Sequence, residues 1–205
     1  DYRNIKLDVR DGTAVLALAR PERKNAFDLD MRAEIADAVA RVRDDSAVRA
    51  LILTGEGGDF CAGGDLRAMS QGPIEAIAGR ERMRAAHRWI RPLIELDRPV
   101  IAAVDGVAFG AGFSLALTAD IVLITARARF SMSFMRVGLV PACGAFYTLP
   151  RAVGLQRAKE LILSARVVEA EEALRLGIAM EIVPTEQLMD RARAIAASFA
   201  AASGT

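Results

Sequence analysis

The stretch Val100-Ile-Ala-Ala-Val-Asp-Gly-Val-Ala-Phe-Gly-Ala-Gly-Phe-Ser-Leu-Ala-Leu-Thr-Ala-Asp120 limits the folds open to this chain more than any other. Its short β-branched start, 100–104, predicts a buried strand. A glycine-spaced turn follows, and Phe113, Leu115, Ala116 and Leu117 predict a fully buried helix. Glycine lets the backbone turn tightly and lets another group come close to it. The first N–H groups of such a helix have no internal partner, so the helix start favours negative charge. Residues 110–114 are therefore a candidate site for a phosphate or for an oxyanion formed during a reaction.

Length and composition narrow the partners. The 205 residues suit one domain with a real core, and 53% hydrophobic with 26% charged residues is ordinary for a globular protein. Lys plus Arg number 27 against 26 Asp plus Glu, for a net charge of +1. The cations are scattered among acids along the predicted helices, which argues against nucleic acid as a partner. Cys61 and Cys143 form neither metal-binding nor redox spacing and imply a reduced, cytoplasmic setting. The charged start, Asp1-Tyr-Arg-Asn-Ile-Lys6, argues against a signal peptide. The most apolar window, 106–119, lies between Asp105 and Asp120 and is too short to span a bilayer, so no membrane partner is expected.

Along the chain, 5–10 and 13–19 flank Asp11-Gly12 and predict a hairpin. A charged loop, Arg20-Pro-Glu-Arg-Lys-Asn-Ala26, precedes a helix with Met31, Ile35, Ala38, Val39 and Val42 on one face. Residues 50–54 predict a buried strand, and 65–69 a short helix after a second glycine-rich loop. Gln71-Gly-Pro73 interrupts the chain. A long helix over about 74–96 then places Met83, Ala86, His87, Ile90 and Ile94 together, with Pro92 as a kink. A strand at 120–125 leads to a turn-rich segment, 128–143. Helices over 149–165 and 169–176, a strand at 179–183 and a helix over 186–201 complete an α/β pattern with a partly parallel sheet.

The glycine loops admit several uses. Gly110-Ala-Gly112 lacks the third glycine of a dinucleotide fingerprint, and no acid follows between 121 and 159. No Gly-Lys-Ser/Thr phosphate loop is present. Gly112-Phe-Ser-Leu-Ala116 is close to a hydrolase nucleophile elbow, but the lone histidine, His87, precedes Ser114, whereas that arrangement places it after. Ser114 also reads as a first-turn serine bonded to its own backbone. A third use fits two loops that each end a strand and open a helix: one N–H from each converges on a single carbonyl oxygen.

Leu51-Ile-Leu-Thr-Gly-Glu-Gly-Gly-Asp-Phe-Cys-Ala-Gly-Gly-Asp-Leu66 and Ile101-Ala-Ala-Val-Asp-Gly-Val-Ala-Phe-Gly-Ala-Gly-Phe113 resemble the two signatures of the enoyl-CoA hydratase/isomerase (crotonase) superfamily. Further matches are Arg20 to Ala26, Val137-Gly-Leu-Val-Pro141, Leu149-Pro-Arg-Ala-Val-Gly154 and Ala173-Leu-Arg-Leu-Gly177, in register over nearly the whole chain. The resemblance implies the crotonase-like ββα spiral with surrounding helices, assembled as a homotrimer or dimer of trimers. It also implies an acyl-CoA thioester substrate, with coenzyme A as part of that substrate and no separate cofactor or metal. Family members usually carry further C-terminal helices that cover the acyl pocket, and this helical lid is missing from the expectation for a chain ending at Thr205.

By the same resemblance, the oxyanion-hole donors are the N–H groups of Gly64 and Ala111. The coenzyme A site falls on Arg23, Lys24 and Ala26 and on Ala62, Asp65 and Leu66. Arg23 and Lys24 would face phosphates or else remain solvated loop charges. The two glutamates that hold water in ordinary hydratases correspond to Ser114 and Phe134. A third carboxylate position, just after the conserved proline, is Ala142. Serine without a base is a poor proton carrier and phenylalanine cannot be one, so two-glutamate hydration is not expected. His87, placed by the periodicity on the apolar face of its helix, is the remaining candidate base, with packing as its other reading. Tyr147 and Cys143 are expected near the acyl pocket, with packing again the alternative.

Overall fold

A computed structural model of the chain describes residues 2–66 and 76–201. The expected short helix at 65–69 and the break at 71–73 lie largely outside the described residues, as do the side chains of Met83 and Ala86.

Six strands form the main sheet: β1 (Ile5–Arg10), β2 (Thr13–Leu18), β3 (Ala50–Gly55), β4 (Val100–Val104), β6 (Ile121–Ile124) and β9 (Glu181–Ile182). Their order is β1-β2-β3-β4-β6-β9, antiparallel only between β1 and β2. The hairpin turns at Asp11 and Gly12, both with positive φ. The central strands are buried on both faces, as parallel strands under helices must be. Leu16, Leu51, Leu53, Ala102, Val104 and Ile124 point into the larger core. Val15, Ile52, Ile101, Ala103 and Leu123 point the other way, under the last helix, α7 (Leu188–Ala201).

Three further strands, β5 (Val107–Phe109), β7 (Arg129–Ser131) and β8 (Val168–Glu169), make a second sheet in the order β5-β7-β8. β5 and β7 lie within segments expected to be turns and β8 at the start of the helix expected over 169–176, because strands of two or three residues show no legible alternation. Helix α1 (Leu29–Asp44) starts at Asp28, whose carboxylate accepts the Met31 N–H at 2.8 Å. All five residues expected on its buried face are buried. It packs against α2 (Ala76–Ile94), which carries Pro92 inside its last turn. The short α3 (Ala111–Ala116) is buried throughout, as anticipated, while Leu117 just beyond it is only partly covered. The single helix expected over 149–165 is two, α4 (Ala145–Val153) and α5 (Leu155–Ser164), separated by Gly154 at φ 77°. Helix α6 (Ala170–Arg175) follows β8. No helix among the described residues is long and apolar enough to cross a membrane.

An ion-pair clamp holds the α5–α6 link. Arg166 bonds Glu160 at 2.6 Å and Glu172 at 2.7 Å. The neighbouring Ala165 carbonyl accepts the Ser131 hydroxyl, and the Ser131 carbonyl accepts the Gly110 N–H at 2.8 Å, so the clamp reaches the turn before α3. Hydrogen bonds from Arg166 hold both carboxyls below the ordinary value of 4.5. They bind protons less readily folded than unfolded, so their stabilisation is intact above that value and is lost as pH falls through the lower folded values. Solvent screening keeps it to about 1 kcal/mol or less. In urea titrations, Arg166→Ala is expected to lower stability at neutral pH and to lower it much less in acid, where both carboxyls are protonated in either state.

Candidate active site

The two glycine-rich loops meet. Cys61 donates its N–H to the Val107 carbonyl and accepts the Phe109 N–H, both at 2.9 Å, forming an isolated parallel bridge to Ala108. Beyond it, the backbone of 63–65 pairs with Phe27: Phe27 donates to the Gly63 carbonyl and Asp65 donates to the Phe27 carbonyl, each at 2.8 Å. The N–H of Gly64, between them, has no acceptor among the described residues.

On the other side, Gly110 turns the chain with φ 52° and ψ −119°, a conformation that excludes a side chain, and α3 starts at Ala111. The Ala111 N–H is the first of the helix and also lacks an acceptor among the described residues. The loops are close: a Cβ built on Gly63 would lie 3.4 Å from the Ala111 nitrogen. Gly112 rests on Cys61, where an added Cβ would press on the Cys61 carbonyl oxygen and lie 2.8 Å from its Cβ. Two N–H groups without an acceptor among the described residues thus lie on loops that approach one another, with a helix N-terminus behind one of them.

The positions that the resemblance assigns to hydratase glutamates hold side chains without a carboxylate. Ser114 is fully buried, and its hydroxyl donates to the Gly110 carbonyl at 3.2 Å, within its own helix. That is the backbone-bonded reading of this serine. Phe134 is 9% exposed, in a 3-10 turn (Ser133–Val137), with its ring about 4.0 Å from where a Gly110 Cβ would be. Ala142 is partly buried against the core.

His87 departs from expectation. It is exposed, because the indole of Trp89 turns the buried stripe of α2 towards Trp89, Ile90 and Leu93. Ile94, expected on the buried face, is 44% exposed. His87 instead shares the outer face with the exposed Arg80, Arg84, Arg88 and Arg91, of which Arg84 pairs with Glu81 and Arg91 with Glu95, in keeping with the scatter of cations among acids expected from the sequence. Tyr147 is also outside the site. It is 60% exposed beneath the Arg151 guanidinium, on a cavity of about 560 Å³ that Gly64, Ala111, Ser114 and Phe134 do not line.

The loop expected to meet coenzyme A adjoins the first donor. Ala26 is buried, Arg23 is exposed, and Lys24 is mostly exposed with Nζ 3.3 Å from Asp59. Leu66 is exposed beside the Asp65 backbone. The N–H groups of Ala62 and Asp65 are already bonded, to the Lys24 and Phe27 carbonyls, which leaves carbonyl oxygens as the contacts they can offer.

Residues not singled out as site residues hold this region together. Asn25, fully buried with φ 56°, accepts the Arg20 N–H and donates to the Glu56 and Asp59 carbonyls at 2.9 and 2.6 Å. Arg20 bonds the Ala26 carbonyl and pairs with Asp28 and Asp65. Asp59 accepts the Val107 N–H at 2.9 Å. A polar residue inside an otherwise charged loop motif is the only signal of this in sequence. Burial raises the Cys61 thiol to about 12 and the Cys143 thiol to about 11. Neither is therefore expected to react with an aromatic disulfide reagent in mildly alkaline buffer, and both should react once the chain is unfolded.

The sequence matches the family described as Enoyl-CoA hydratase/isomerase over residues 8–205. It is 40% identical to the 1,2-epoxyphenylacetyl-CoA isomerase of Escherichia coli K12, covering 94% of this chain and 74% of that one. It is 38% identical to the crotonyl-CoA hydratase of Syntrophomonas wolfei, covering 95% and 75%. The crystal structure of an enoyl-CoA hydratase/isomerase from Cupriavidus metallidurans CH34 superposes with a TM-score of 0.91 at 47% identity, covering 99% of this chain and 76% of that one. The chain belongs to the enoyl-CoA hydratase/isomerase family, with the crotonase fold, and is an enzyme of a family that acts on acyl-CoA.

Proposed function

We propose that the chain binds an acyl-CoA thioester with the thioester oxygen between the N–H groups of Gly64 and Ala111, and stabilises the enolate formed next to it. The convergence of those two unpaired donors carries this reading. Water exclusion strengthens such bonds as charge builds on the oxygen. Coenzyme A lies along Arg23, Lys24 and Ala26. The carbonyls of Ala62, Asp65 and Leu66 face the adenine, whose exocyclic amine needs acceptors, and Phe134 packs against the acyl group beside Gly110. CoA belongs to the substrate and no other cofactor or metal takes part. The working form is a homotrimer or a dimer of trimers.

The reaction is of the hydratase or isomerase kind, with a proton carrier other than the usual glutamate pair. Ser114 spends its hydroxyl on its own helix, which makes it a packing residue rather than the carrier. His87, exposed on α2, is the residue to test. Short and medium 2-enoyl-CoAs and 3-enoyl-CoAs should be offered to the wild type, His87→Ala and Ser114→Ala. Turnover of at least one thioester is expected, with Ser114→Ala within about threefold of wild type.

The Ser114, Phe134 and Ala142 triple favours two other readings, a CoA-binding homologue without chemistry and a thioesterase- or decarboxylase-like member using a positioned water. Tight acyl-CoA binding with no chemistry on a broad thioester panel would support the first, and hydrolysis or decarboxylation without enoyl-CoA turnover the second. No binding of CoA thioesters would remove all three.

A further inference from the structure

We infer that the Cys61 thiol is a positioning residue for the oxyanion hole, fixing the direction of the Gly64 N–H through two hydrogen bonds of its own. The inference rests on the thioester reading above. Every polar group of Cys61 is engaged. Its N–H and carbonyl join the second loop at Val107 and Phe109. Its Sγ–H donates to the Asn25 carbonyl at 3.1 Å, and Sγ accepts the Gly63 N–H at 3.3 Å. One fully buried side chain therefore links the CoA-side loop, through Asn25, to the peptide immediately before the first donor.

The consequence for Gly64 is geometric. Gly63 is held at both ends, its N–H on Cys61 Sγ and its carbonyl on the Phe27 N–H. Asp65 is held by the Phe27 carbonyl. With the residues on either side pinned, the Gly64 N–H has one direction left, away from Phe27. Without Sγ, Gly63 keeps only its bond to Phe27, and the peptide that carries the Gly64 N–H is freer to pivot about that bond. A thiol suits the place because it donates and accepts at once, and burial keeps it protonated and inert. Gly112 packs on the same residue, so Cys61 also sets the spacing between the donors.

The experiment compares wild type, Cys61→Ala and Cys61→Ser by residue-resolved amide hydrogen exchange, with and without hexanoyl-CoA, a saturated thioester. Serine keeps a donor and an acceptor, and alanine keeps neither. Without ligand, the Gly63 amide should exchange about tenfold faster in Cys61→Ala than in wild type, with Cys61→Ser close to wild type. With hexanoyl-CoA bound, the Gly64 amide should gain protection in wild type and Cys61→Ser but little in Cys61→Ala. On any enoyl-CoA that is turned over, Cys61→Ala should lower kcat with KM nearly unchanged. Equal Gly64 protection in all three proteins, or a serine variant as impaired as the alanine one, would overturn the proposal. If wild-type Gly64 gains no protection although hexanoyl-CoA binds, the thioester reading itself falls and this inference with it. An unchanged Gly63 rate in Cys61→Ala defeats the inference alone.

Discussion

Replacing Ala111 with proline is expected to reduce turnover of the acyl-CoA substrate by about a hundred- to a thousandfold while the protein stays folded. Proline has no N–H, so the variant deletes one backbone donor, which no ordinary side-chain substitution does. The position tolerates it because residue 111 is the first of α3, where proline's fixed φ suits the helix and the missing N–H breaks no internal bond. The preceding residue is Gly110, so the usual clash of a pre-proline Cβ is absent. Steady-state kinetics with a thermal unfolding scan on the same preparation check the prediction. A folded variant with wild-type kcat would remove Ala111 from the site.

Gly112→Ala is expected to act through the fold and to be equally damaging. The added Cβ has no free space: it meets the Cys61 carbonyl oxygen, and the Cys61 Cβ at 2.8 Å, and neither can swing away as a flexible side chain would. Cys61 is bonded to Val107 and Phe109 on one side and to Asn25 and Gly63 on the other, so moving it disturbs both loops together. The loss should reach or exceed the upper end of ordinary overpacking, about 3 kcal/mol, measurable as a lower urea midpoint. Any folded fraction should bind the thioester with the donors misaligned, so its specific activity should fall as well.

The main sheet was legible because its strands are buried on both faces and read as apolar β-branched runs, such as Leu51-Ile-Leu and Val100-Ile-Ala-Ala-Val. The second sheet was not. Its strands β5, β7 and β8 are too short for a period to appear, and they exist because Cys61, Gly106 and Ser131 bring distant backbone together. Gly154 splits the predicted helix because its φ of 77° lies outside the right-handed helical range.

At the site, glycine spacing points to two loops that each offer a backbone N–H, which needs no particular side chain, and the family resemblance assigns the candidate donors to Gly64 and Ala111. Helical periodicity puts His87 on the buried face, whereas the structure buries Trp89, Ile90 and Leu93 and leaves His87 exposed. The hydrogen-bonded frame of Arg20, Asn25, Asp59 and Cys61 joins residues up to 48 positions apart, and no local pattern encodes that.

The most direct test of the thioester site is the infrared frequency of a carbonyl-13C-labelled hexanoyl-CoA bound to the wild-type protein. Donors at Gly64 and Ala111 should polarise that carbonyl and move its stretch to lower frequency than in water, with part of the shift lost in Ala111→Pro. A bound thioester whose carbonyl frequency matches the free ligand in both proteins would contradict the account.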